Sequence, residues 1–133
     1  MSEHLEQAAL FQWAEIYKNR APALEMLFAV PNGGKRHVKT AITLKAEGVK
    51  AGVPDVWLPV PSRIYHGMVI EMKFGKNTVT EEQKAWLLNL ENHGWFTAVC
   101  YSWEAAAIEI CLYLDLELSE FGLDFLSLSE GRS

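Results

Sequence analysis

An α/β fold with a mixed central β-sheet flanked by helices is what the sequence predicts, on three observations. Segments of helical period alternate with short, apolar, β-prone runs in the order α-β-α-β-β-α-β-α. Two of those runs, residues 56–58 and 67–73, are joined by a stretch holding Pro59, Pro61 and Ser62, which reads as a hairpin-like connection. At 133 residues the chain is long enough for one real core and too short for two. A central hairpin combined with helical crossovers makes the sheet mixed and sets helices on both faces.

Residues 3–18 read as an amphipathic helix with Ser2 as N-cap. At 100° per residue, Leu5, Ala9, Leu10, Trp13, Ile16 and Tyr17 form its apolar face. Glu6 falls in the middle of that face, with Glu3 and Gln7 at its polar edge. A carboxylate there needs a partner or a metal, unless the first turn frays and releases it to solvent. After Pro22, residues 27–30 (Leu-Phe-Ala-Val) form a short buried strand, ended by the turn Pro31-Asn32-Gly33-Gly34. Exposed amides in such a turn, followed by Lys35, Arg36, His37 and Lys39, make a reasonable phosphate contact. Residues 38–47 are helical and stop at Gly48 as C′ residue.

Residues 56–58 (Val-Trp-Leu) and 67–73 (Gly-Met-Val-Ile-Glu-Met-Lys) are the hairpin strands. Thr80 caps the next helix, with Gln83 three residues on as in a capping box, and the helix stops at His93-Gly94. Gln83 therefore has a structural role available, although it lies close enough to Lys73 in sequence to reach the same site. Residues 95–101 form a continuous apolar strand, and Ser102 caps a helix from about 103 to 114. Residues 115–133 alternate Leu and Phe with acids and serines, as an appended helix, an arm reaching another subunit, or a partly disordered tail.

Half of the chain is hydrophobic and 22% is charged, which places it among ordinary globular domains. No apolar run reaches spanning length and the N-terminus lacks a signal-peptide pattern, so membrane partners are not expected. Cys100 and Cys111 have no metal-ligand spacing and read as reduced core thiols of a cytoplasmic protein. The net charge of −5 speaks against nucleic acid, but its distribution speaks for it. Residues 18–50 hold seven basic and two acidic residues, 7 − 2 = +5, whereas residues 104–133 hold seven acids against Arg132. One face could therefore meet phosphates.

The chemistry concentrates between Asp55 and Lys73. Alternation along a strand puts Glu71 and Lys73 on one side, and pairing of the hairpin brings Asp55 to them. A bare E-x-K reads as readily as a solvated pair on an edge strand, so the weight falls on Pro54-Asp55 upstream. Two carboxylates supply hard oxygen ligands that suit Mg²⁺ or Mn²⁺, and a neighbouring lysine can orient or deprotonate a water.

Gly52-Val53-Pro54-Asp55, Glu71-Met72-Lys73 and Gln83 resemble the P-D…(D/E)-x-K nuclease signature. Together with Pro31-Asn32-Gly33-Gly34-Lys35-Arg36, the Gly48…Gly52 loop and Thr80-x-x-Gln83-x-x-Trp86, they resemble the stand-alone VRR-NUC proteins of phages and bacteria over roughly residues 3–107. The resemblance implies a restriction-endonuclease-like core in residues 1–114, with 115–133 as an acidic tail. It implies a Mg²⁺- or Mn²⁺-dependent DNA endonuclease, selective for branched DNA such as four-way (Holliday) junctions, and working as a homodimer. The location would be cytoplasmic, in the host cell if phage-encoded. Asp55 and Glu71 would be metal ligands with the Met72 carbonyl, and Lys73 would position the attacking water. Gln83 would hold the lysine or the water, and Glu6, with Glu3 as its rival, would complete the site from the first helix. Asn32, Gly33, Lys35, Arg36 and Lys39 would contact DNA. The other readings are a DNA-binding or assembly module that kept the fold without the chemistry, a nicking or flap nuclease, and a nuclease for RNA or single strands. The last would need an aromatic stacking platform, whereas Trp57 and Trp86 lie in runs that read as buried.

Overall fold

Four strands form one sheet in the order β1-β2-β3-β4, with β1 at Phe28–Ala29, β2 at Val56–Leu58, β3 at Met68–Met72 and β4 at Phe96–Cys100. The structure is a computed structural model that describes residues 2–31 and 38–126. The helices are α1 (Glu3–Tyr17), α2 (Val38–Ala46), α3 (Glu81–Asn92) and α4 (Trp103–Leu114), with 3₁₀ turns at Pro22–Met26 and Leu118–Phe121. Strands β1, β2 and β3 pair antiparallel in sequence, and β4 joins β3 in parallel after α3 crosses over. The sheet is therefore mixed because one hairpin and one βαβ unit share β3.

Helix ends follow local chemistry. Ser2 Oγ accepts from the Leu5 N–H, and Ser102 Oγ accepts from the Ala105 N–H. Helix α3 carries a full capping box, Thr80 Oγ1 accepting from Gln83 N–H and Gln83 Oε1 from Thr80 N–H. Helix α2 ends at Gly48, whose φ of +97° suits the C′ position.

Alternate residues of the sheet face opposite layers. Val56, Leu58, Met68, Ile70 and Met72 pack into one core with Leu10, Trp13 and Ala14 of α1 and Ala106, Ile110 and Tyr113 of α4. The buried stripe of α1 is Glu6, Leu10, Trp13 and Ala14. It is narrower than the pattern predicts, for Leu5 is 54% and Ile16 71% exposed. The hairpin connection is pinned to α4, with Ser62 Oγ donating to Tyr113 O and Tyr113 Oη to Val60 O. The C-terminal stretch is part of this core as far as Leu123. Phe121 and Leu123 are buried, Phe121 packs on Trp13 and Tyr17, and Trp13 Nε1 donates to Phe121 O at 2.8 Å. Cys100 and Cys111 are buried free thiols. Among the described residues no helix is long and apolar enough to cross a membrane.

Candidate active site

The other face of the hairpin carries the polar residues. The register sets Val56 against Ile70, and the Val30 N–H donates to Asp55 O at 2.8 Å, so the pairing of β1 with β2 reaches Asp55. Asp55 thus lies beside Glu71 across the strand pair, and Lys73 follows two residues later on the same side. All three are buried, Glu71 at 1% exposure.

Their contacts are specific. Asp55 Oδ2 accepts from the Met72 N–H at 2.9 Å, which ties the carboxylate to the end of β3. The N–H and C=O of one strand residue point to the same edge, so the Met72 carbonyl is directed toward the Asp55 side as well. Glu71 Oε2 accepts from Gln83 Nε2 at 3.1 Å and pairs with Lys73 Nζ at 3.8 Å. Glu71 Oε1 meets no hydrogen-bond donor, the one such buried side-chain atom among the described residues. Burial raises the Glu71 carboxyl to about 9, and the adjacent Asp55 pushes the same way against the pull of Lys73.

Gln83 combines the two roles open to it in the sequence. Its Oε1 closes the capping box while its Nε2 holds Glu71, so one amide couples the start of α3 to the carboxylate pair. The loop before Asp55 is fixed to the same helix. Trp86 Nε1 donates to Ala51 O, and Gly52, at φ +85°, sits where a Cβ would come within 2.6 Å of the Glu82 backbone. That close approach is why this loop needs glycine there.

On α1, Glu6 is buried and its Oε1 accepts from the Trp103 N–H at 2.8 Å. It thereby satisfies an amide of the first turn of α4 and links the two helices. Sequence periodicity finds the burial of Glu6 but not this partner, which lies 97 residues away. Glu3 stands differently. Burial raises its pKa, the charge of Asp55 raises it further and Lys73 opposes, and Glu3 in turn adds to the upward push on Glu71. Asn32, Gly33, Lys35 and Arg36 lie outside the described residues, as does the side chain of Lys39.

The donor set fits a hard divalent cation: two buried carboxylates side by side, one with an oxygen that no donor satisfies. No group of three or more His, Cys, Asp or Glu side chains gathers at metal-holding distance among the described residues.

The model of the VRR-NUC domain family matches residues 2–104 of this chain. A solved structure described as a VRR_NUC domain protein superimposes with a TM-score of 0.75 at 26% sequence identity, covering 88% of this chain and 91% of that one. No curated protein matches the chain.

Proposed function

Because the chain belongs to the VRR-NUC family and has its nuclease-type fold, we propose that it is a divalent-metal-dependent DNA endonuclease, selective for branched DNA and active as a homodimer. The observation that carries the reading is the buried pair Asp55 and Glu71, with the donor-less Glu71 Oε1 and Lys73 at the same strand end. Two buried carboxylates with a lysine would be a costly way to finish a strand without a function.

Asp55, Glu71 and the Met72 carbonyl would hold Mg²⁺ or Mn²⁺, which supplies charge neutralisation at the phosphate and a more acidic water. Glu6, with Glu3 as its rival, would complete the set from the first helix; Glu6 is engaged by the Trp103 amide, and the charge of Glu3 adds to the upward push on Glu71. Lys73 sits beside Glu71 and is available to orient the attacking water or to stabilise negative charge as it develops. Gln83 keeps Glu71 in place through Nε2. In-line attack by water, with departure of the 3′ oxygen, would leave a 5′-phosphate. The basic segment around Lys35, Arg36 and Lys39 would bind the DNA backbone. A four-way junction has two symmetric cut sites, which a C₂ dimer matches.

The test is cleavage of a labelled four-way junction, a flap and a plain duplex with Mg²⁺ or Mn²⁺, by wild type and Lys73→Ala. Junction-selective cuts that vanish in the variant support the whole reading. Equal cutting of all three substrates keeps the nuclease and removes the junction selectivity. Binding without cutting by either protein leaves a DNA-binding module on this fold.

A further inference from the structure

Two rings beside the carboxylates take no part in the chemistry above. Phe28 on β1 is directly opposite Trp57 on β2, with ring planes 16° apart and centroids 6.5 Å apart. Trp57 meets Trp95 edge-on at 5.1 Å, and its indole N–H already donates to Pro54 O. What Trp57 has left to offer is carbon and π surface. Phe28 is 45% exposed and stands outside the apolar core, so beyond its contact with Trp57 much of its ring meets solvent.

Register places these rings on the catalytic face. Trp57 follows Asp55 by two residues, as Val69, its partner across the pair, precedes Glu71 by two. At about 3.3 Å per residue the aromatic row lies about 6.6 Å from the carboxylate row. Helix α3 covers β4 and reaches β3 through Gln83, whereas Phe28 lies on β1 at the other edge of the sheet and is 45% exposed, with Trp57 half-buried beside it.

We propose that Phe28 and Trp57 form a stacking platform for unpaired bases of the strand whose phosphate lies at Asp55 and Glu71. This inference rests on the nuclease reading and names the part of a branched substrate that the site grips. Rings with no free polar atom do not read base edges, so the platform is indifferent to sequence. Bases within a duplex are already stacked on their neighbours, so the platform selects flaps, frayed branch points and single strands. Stacking also adds affinity that salt does not screen, which suits a chain with net charge −5.

The experiment measures binding of labelled oligodeoxythymidylate and of a blunt duplex by fluorescence anisotropy in EDTA, for wild type, Phe28→Ala and Phe28→Trp, at several salt concentrations. The ratio of single-strand to duplex affinity is expected to fall about tenfold in Phe28→Ala, with the salt slope unaltered, and to recover in Phe28→Trp. An unchanged ratio overturns the platform, as does equal weakening for both probes accompanied by a lower melting temperature. A change in oligomeric mass on Phe28→Ala would instead assign the ring to a subunit interface and overturn it too. Metal-dependent cutting of branched DNA by the wild type, measured in parallel, separates the two readings. Cutting with an unchanged ratio removes only the platform, and a changed ratio without cutting removes only the nuclease. Failure to bind either probe removes the platform, and the cutting assay alone then decides the nuclease.

Discussion

Strand β3 shows two kinds of burial within five residues. Met68, Ile70 and Met72 face α1 and α4 and exclude water by apolar packing, while Val69 and Glu71 face the other way. Each of the five is buried, yet the energetics are opposite in sign. Removing Ile70 from water stabilises the fold, whereas removing Glu71 costs energy that its contacts with Gln83 and Lys73 only partly offset. The period-2 alternation of one strand thus separates what holds the protein together from the polar cluster on which the proposed activity rests. It also means that substitutions on the two faces should move stability and activity independently.

The largest separation is expected for Asp55→Asn. The amide oxygen can still accept from the Met72 N–H, but a charge proposed to bind the metal is gone, so cleavage should fall by about 10³-fold in single-turnover assays. Thermal melting should stay level or rise, since a buried charge is removed. Ile70→Ala is the converse. It should lower unfolding free energy by about 3 kcal/mol in urea titration, with far less change in cleavage per folded molecule. Loss of activity without loss of stability in Ile70→Ala would break the distinction between the faces.

Gln83→Glu sharpens it. The carboxylate keeps an acceptor for the Thr80 N–H but replaces the donor that holds Glu71. Melting should fall, because a third carboxylate replaces the contact that offsets part of the cost of burying Glu71, and cleavage should fall about tenfold, the usual cost of losing an outer-shell partner.

The finest test is pH. The Glu71 carboxyl of the metal-free folded protein is raised from 4.5 to about 9, so between those values the folded state binds a proton that the unfolded state has released. Stability from this group is therefore complete below about pH 4.5 and is lost as pH rises toward about 9. Melting in EDTA across that window should show the decline, Glu71→Gln should flatten it, and Mg²⁺ should raise the melting temperature of the wild type alone. A Glu71→Gln profile parallel to the wild type would remove Glu71 as the group responsible.

The elements and the polar cluster are legible in the sequence because their causes are local. Ser2, Thr80 and Ser102 cap helices through atoms three residues away, and the alternation of residues 68–72 needs only the pleat. The spacing between Asp55 and Glu71 is legible too, since a hairpin brings its strand ends together. The apolar face of α1 is legible only in part. Leu5 and Ile16 fit the helical wheel, yet both side chains are largely exposed.

What the sequence by itself determined is the order of elements and the cluster of Asp55, Glu71, Lys73 and Gln83, since side-chain period and cap chemistry act over a few residues. Tertiary structure decided the rest. Glu6 meets an α4 amide, Gly52 lies against the backbone of α3, residues through Leu123 seal the core, and Phe28 stands beside Trp57 on the face of Asp55 and Glu71. Each of these pairs residues far apart in the chain, so the partner is chosen by how the layers pack, which no local pattern encodes.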